Sequence, residues 1–302
     1  MIVDLVKKRI INSLFTVFAV SFTGILILSL LPGTPEEAKI GERAHPFQGE
    51  SPSFISKYWN FLRNFPERAL GNSLVSGRRV IDEVLDAFPY SFLLALFSVL
   101  LSLAISIPIG IFTALNKEKT VDTLILAISV FFNSLPVISL GPLLAVIFSV
   151  RLGILPVSGL DGFKSIILPS LTLSIPFSAY LIRIIRKSLL EELKKGYILS
   201  IRARGVRNIR IVIFHALRNS IFSIITVVNL RIGNLITGAI LTESMFSFPG
   251  VGRLLVRSVA GRDYNLAFGI MILSSLIYVF LTLITDISYA ILDPRIRYAC
   301  KE

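Results

Sequence analysis

Five uncharged runs, Ile10–Leu31, Ala87–Asn116, Thr123–Val150, Ser165–Ile182 and Tyr264–Thr285, constrain this chain more than any other feature. Crossing the hydrocarbon of a bilayer as a helix takes about 20 apolar residues, because every backbone N–H and C=O must find its partner inside the segment. A sixth run, Asn219–Thr242, is interrupted only by Arg231 and is flanked by Ile, Val, Leu, Gly and Ala. Six membrane-spanning helices are therefore expected. The composition agrees: 54% of residues are hydrophobic, 17% are charged and the mean hydropathy is +0.77. Such a chain has the bilayer as part of its solvent.

The net charge of +12 does not point to nucleic acid, since the basic residues are spread between apolar runs instead of gathering on one water-soluble face. An even number of spans places both termini on one side. That side carries 18 basic and 8 acidic residues, against 12 and 11 on the other, so the termini are expected in the cytoplasm. The first run is longer than the roughly 7–15 apolar residues of a secretory signal and ends Leu30-Leu31-Pro32-Gly33, so it reads as a retained helix. The chain thus reads as one transmembrane domain over 1–302. It has an N-terminal helix at 10–31, an external segment at 32–86 and core spans at 87–292 that enclose a cytoplasmic loop at 186–218.

In the external segment, Phe54, Tyr58, Phe61, Leu62 and Phe65 recur at helical spacing beside Trp59. A helix lying along the headgroups and one packed on the outer ends of the spans both satisfy that pattern. Pro108, Pro136, Pro169 and Pro176 fall inside spans two to four and are expected to kink them. One cysteine and two histidines leave no CxxC pair and no HExxH site, so no metal is expected. The sequence GxxxxGK[ST] is absent, and Gly250-Val-Gly252 lacks the third glycine of a dinucleotide loop. No cofactor is expected on this chain.

The cytoplasmic loop is too polar for lipid, yet Tyr197, Ile198 and Ile201 can share a helical face, with Gly205 as a turn at the helix end. An apolar stripe on a cytosolic helix needs a groove to lie in. A basic loop that only sets topology and touches anionic lipid is the other reading of the same composition.

Tyr197-Ile-Leu-Ser-Ile-Arg-Ala-Arg-Gly205-Val206, followed by His215-Ala-Leu-Arg-Asn219, resembles the "EAA" loop of dipeptide/oligopeptide permease subunits (B type) of ABC importers. That family reads Tyr-x-x-x-Ala-Arg-Ala-Lys-Gly and then His-Ala-Leu-Arg-Asn; this chain departs at Ile201 and Arg204. Leu31-Pro-Gly-Thr-Pro35, Gly71-Asn-Ser-Leu74, Arg151-Leu-Gly-Ile-Leu-Pro-Val-Ser-Gly159, Glu243-x-x-Phe-x-x-Pro-Gly-Val-Gly-Arg253 and Leu292-Asp-Pro-Arg295 extend the likeness nearly end to end.

The resemblance implies an all-α type I importer permease that forms half of a translocation pathway for peptides or a related small solute. The implied partners are a second homologous permease, two cytosolic ATPase subunits that bind the ATP and Mg, and an extracytoplasmic substrate-binding protein. It also implies a coupling helix between spans four and five, with Tyr197, Ser200, Ile201, Arg202, Ala203, Arg204, Gly205 and Val206 meeting an ATPase. The Glu243–Arg253 segment, with Pro249 and Gly250, would line the pathway.

Within the fifth span, Arg231 bears a cost of about 2.5–3.5 kcal/mol unless it faces protein or water. It either lines the cavity near Asn229 and Asn234 or pairs with a carboxylate on a neighbouring helix or subunit. An ATP-independent secondary transporter or channel is the alternative function. Such proteins show matching repeated halves or paired intramembrane acids, which the sequence does not display.

Overall fold

A computed structural model describes residues 15–26, 58–59, 62–63, 70–159 and 162–292. The described residues form helices joined by short turns, with a single isolated β-bridge between Asn72 and Arg79. In chain order they are α1 (Phe15–Leu26), α2 (Val80–Leu115), α3 (Thr120–Ser134), α4 (Val137–Ala145), α5 (Ile167–Leu193), α6 (Gly196–Ala203), α7 (Leu217–Met245), α8 (Val251–Ala260) and α9 (Tyr264–Leu292). The Leu31–Pro35 and Asp293–Arg295 motifs lie outside the described residues.

Among the described residues, two helical segments are long and apolar enough to cross a membrane, α2 and Phe163–Leu193, or three if the bent pair α3 and Val137–Arg151 counts as one. That pair turns the kink expected at Pro136 in the Thr123–Val150 run into a full break. The two arms meet at 101°. Proline disfavours α-helical backbone in the residue before it, and Leu135 (φ −72°, ψ 125°) and Pro136 (φ −62°, ψ 135°) are both extended. The arm α3 has 15 residues, roughly 22 Å, which is short of the ~30 Å hydrocarbon.

The other prolines do not break their helices. Pro169 falls in the first turn of α5, where its missing N–H has no intrahelical partner to lose, while α5 and α2 run on through Pro176 and Pro108.

The chain divides into two compact units, one of residues 1–91 and 249–302, the other of Phe92–Phe248. In the second unit α5 is the hub and packs against α3, α4 and α7. Its core includes Leu173, Phe177, Leu181, Ile185 and Leu189, all buried. Lipid tails are as apolar as leucine, so helices associate there through close packing and interhelical hydrogen bonds. Both devices occur. A Cβ added at Gly110 on α2 would sit 2.7 Å from Ile185 Cγ2, and one at Gly141 on α4 would sit 2.3 Å from Met245 Sδ on α7. The buried Ser102 hydroxyl donates to the carbonyls of Ser98 (2.7 Å) and of Ser174 on α5 (3.3 Å).

In the first unit, Val80, Val84, Phe268, Ile270 and Ile272 form the core, with Ile25 of α1 among them. Tyr58 meets the rings of Phe18 and Phe22 edge-on at 5.8 and 5.7 Å, and its hydroxyl lies 3.3 Å from Ser21 Oγ. At Tyr58, then, the 32–86 segment packs on the middle of α1. Trp59 stays 55% exposed, with Arg63 over its ring at 5.5 Å.

The start of α9 is tied to the Gly71–Leu74 motif through Asp263. Its carboxylate accepts hydrogen bonds from Ser73 Oγ (2.5 Å) and from the N–H groups of Leu74 (3.1 Å), Val75 (3.2 Å) and Leu266 (3.1 Å). Leu266 is the third residue of α9, so Asp263 is also that helix's N-cap.

Candidate functional site

The segment expected to be a loop at 186–218 is mostly helical. The backbone of α5 continues to Leu193, Lys195 turns extended, and α6 begins at Gly196. With eight residues and no side-chain cap on its first turn, α6 is too short to hold its shape alone. Its attachments to the rest of the chain therefore decide its position.

Ile198 is the root of α6, 1% exposed, with Ile201 half-buried behind it. This corrects the expected apolar stripe. The face formed by Ile198 and Ile201 packs inward, because the helix lies against its own protein and must bury that side. The outward face is Leu199, 71% exposed, with Ser200, Arg202, Ala203, Arg204 and Gly205; Val206 is half-buried. Gly205 closes the helix at φ +76°, with its N–H donating to the Arg202 carbonyl at 2.9 Å. A Cβ there would meet nothing within 4 Å, so glycine is needed for its left-handed backbone and not for space.

Within this chain Tyr197 bridges two other helices. Its hydroxyl donates to Glu192 Oε2 on α5 at 2.9 Å and accepts from Asn219 Nδ2 on α7 at 2.8 Å. The two halves of the signature, Tyr197–Gly205 and His215–Asn219, are thus joined by a hydrogen bond. Lys195 Nζ bonds the other Glu192 oxygen. Burial pushes the Glu192 carboxyl up, but the bonds from Lys195, Tyr197 and Asn219 outweigh it and hold the group below the usual carboxylate range.

Six residues earlier on α5, Arg186 grips Asp122 with both arms, Nε to Oδ1 at 2.7 Å and Nη2 to Oδ2 at 2.6 Å. The Asp122 side chain is 3% exposed, and its pKa lies below the usual range chiefly because of Arg186. Sequence reading passed over Glu192 and Asp122. Each is an acidic residue among many bases, and only the fold shows which base it meets.

The expected pathway residues are divided between the two units. The backbone of α7 carries Asn229, Arg231 and Asn234, whose side chains lie outside the described residues. Glu243 is fully buried near the end of α7 in the second unit, so within this chain it faces protein and not an open cavity. Pro249 and Gly250 belong to the first unit, where Gly250 is buried and precedes α8.

The helix end between them is built as a Schellman motif. Ser247 takes φ +51°, Phe248 N–H reaches the Glu243 carbonyl at 2.8 Å, and Ser247 N–H reaches that of Ser244 at 3.3 Å. The Phe246 carbonyl accepts from Gly159 N–H at 3.2 Å, which joins the 151–159 motif to the 243–253 motif.

A groove of about 600 Å³ lies among α2, α3 and α5, lined by Ile105, Phe112, Ile128, Phe132, Ile175 and Ile182 among others. Its two hydroxyls, Ser129 and Ser178, are each bonded to their own helix, so it offers no polar handle to a peptide.

Residues 106–298 match the model of a family described as the binding-protein-dependent transport system inner membrane component. The chain belongs to that family. It is 35% identical over 301 residues to the glutathione transport system permease protein GsiC of Escherichia coli O6:H1, covering 97% of this chain and 98% of the relative. The same-named proteins of Escherichia coli strain K12 and Shigella dysenteriae serotype 1 are 34% identical with the same coverage.

Among solved structures, the inward-facing MetNI methionine ABC transporter in its native crystal form resembles this permease with a TM-score of 0.59 at 17% identity. That match covers 70% of this chain and 97% of the other. At that identity the likeness is one of fold. The all-helical importer architecture expected from the sequence therefore holds. The permease is a membrane component of a binding-protein-dependent ABC importer and not an enzyme; ATP hydrolysis belongs to partner subunits.

Proposed function

We propose that this permease, with both termini in the cytoplasm, pairs with a second homologous permease to form a translocation pathway. The cargo is a peptide or a related small solute released by an extracytoplasmic binding protein. The 35% identity to a glutathione permease over nearly the whole chain supports that substrate class. Two cytosolic ATPases drive the cycle by gripping α6. The observation that carries this reading is the division of α6 into a buried root at Ile198 and an exposed tip of Leu199, Ser200, Arg202, Ala203 and Arg204. A short helix that hides one face in its own protein and presents a small apolar and basic knob on the other fits a groove on a partner.

The test replaces Leu199 by Glu or Ala203 by Trp in the full complex reconstituted with its binding protein. Uptake of labelled glutathione and of a di- and tripeptide panel into vesicles should fall at least tenfold while membrane insertion is unchanged. Full uptake by both variants would remove the docking assignment. Arg231, in this reading, offers its charge to the carboxylate end of the cargo beside Asn229 and Asn234. Arg231→Gln should then weaken uptake of peptides with a free C-terminal carboxylate more than that of their amidated forms, and equal effects on the two would reject the contact.

A further inference from the structure

The docking helix has its side-chain hydrogen bonds to other helices at one end. Its tip, Arg202–Gly205, is exposed and leads into a turn, and its first turn lacks a side-chain cap. Ile198 gives an apolar foothold, which is non-directional and lets a short helix pivot. The directional contact is the Tyr197 hydroxyl, which bonds the Glu192 carboxylate on α5 and the Asn219 amide on α7. Glu192 is 9% exposed and holds Lys195, the residue before α6, with its second oxygen. One carboxylate thus fixes both the entry to α6 and the ring that leads to α7. Hydrogen bonds to an ionised acceptor are about twice as strong as neutral ones, and strength of that kind keeps a lever from slipping.

We propose that Glu192 is a positioning residue for coupling: through Tyr197 and Asn219 it locks the docking helix to α7, so that displacement of α6 moves α7 with it. This rests on the reading of α6 as the ATPase contact. Without the carboxylate, α6 still docks but swings about Ile198, and less of its movement reaches the span.

The experiment uses the assembled complex in nanodiscs, with a reporter cysteine at the exposed Leu241 of α7 in place of the native Cys300. Its rate of reaction with a maleimide is measured with and without a non-hydrolysable ATP analogue. Glu192→Met keeps the bulk and removes the acceptors; it should copurify with the ATPases yet lose at least about two-thirds of the nucleotide-dependent change in rate. Glu192→Gln, which keeps an oxygen for the Tyr197 hydroxyl, should recover at least half of it. Because burial alone would be satisfied by Met, that rescue separates positioning from packing. Tyr197→Phe combined with Glu192→Met should do no more harm than Glu192→Met alone. A full response in Glu192→Met, or additive losses in the double variant, would overturn the proposal. Failure of the docking reading shows separately, as no nucleotide response in the parent complex or none lost in Ala203→Trp.

Discussion

Replacing Asp263 by alanine should cost the folded permease about 3 kcal/mol, and the figure can be assembled from the contacts. Asp263 is 2% exposed and caps α9 through Leu266 N–H, a contribution of about 1 kcal/mol. Its remaining bonds come from the Ser73 hydroxyl and the N–H groups of Leu74 and Val75. Val75 is 72% exposed and Leu74 half-buried, so water can replace their bonds, which leaves about 2 kcal/mol from the buried Ser73 hydroxyl, within the roughly 1.5–3 kcal/mol of a hydrogen bond to a charged group. Asp263→Asn keeps one acceptor and should cost about half as much.

The carboxyl titrates below the usual range: burial alone would raise it, and the hydrogen bonds from Ser73, Leu74, Leu266 and Val75 outweigh burial. Its stabilisation is therefore complete above the unfolded value of ~3.9 and disappears as pH falls through the lower folded value. Equilibrium unfolding in mixed micelles, followed by circular dichroism, should give a constant gap between wild type and Asp263→Ala from pH 7 to 5, closing only in strong acid. A gap below about 1 kcal/mol at pH 7, or one that shrinks already at pH 6, would refute the assignment of Asp263 as the anchor.

Other substitutions test the helix ends and contacts. Ser247 and Arg262 hold positive φ at the ends of α7 and α8, so Ser247→Gly and Arg262→Gly should each relieve strain and raise stability in the same unfolding assay by about 0.5 kcal/mol. Gly110→Leu would drive a side chain into Ile185 and should destabilise by about 1–3 kcal/mol, with Gly110→Ala milder. Arg186→Met leaves the Asp122 carboxylate buried without its partner and should cost about 3 kcal/mol, most of it recovered in the double variant with Asp122→Leu.

What the sequence revealed and what it hid follow one physical line. Apolar runs and the signature around Tyr197 are local patterns, and they led to the membrane and the family. The break at Leu135-Pro136 was underestimated because proline in a membrane helix is often absorbed, as Pro108 and Pro176 are here. In α6 the Ile198 side packs inward and the other face is exposed. An apolar stripe looks the same whether it seeks a partner or its own protein, and only tertiary packing distinguishes the two. Nothing local marks Asp122 or Asp263, whose donors lie 64 and 190 residues away, whereas Lys195 and Tyr197, the donors to Glu192, follow it by three and five residues.

The short motifs that identify the family make sense once they are seen to meet in pairs. Ser73 of the Gly71–Leu74 motif holds Asp263; Gly159, the end of the 151–159 motif, bonds Phe246 of the 243–253 motif; Tyr197 bonds Asn219. Each meeting lies at a helix end, where backbone groups lose their intrahelical partners and must find others. Between these ends the helices present mainly Ile, Leu, Phe and small residues, whose contacts are close and, the Ser102–Ser174 bond apart, not directional. Positional information is therefore concentrated at the polar termini, and drift is tolerated in the apolar middles. That division explains how this permease can share its fold with a solved importer at only 17% identity.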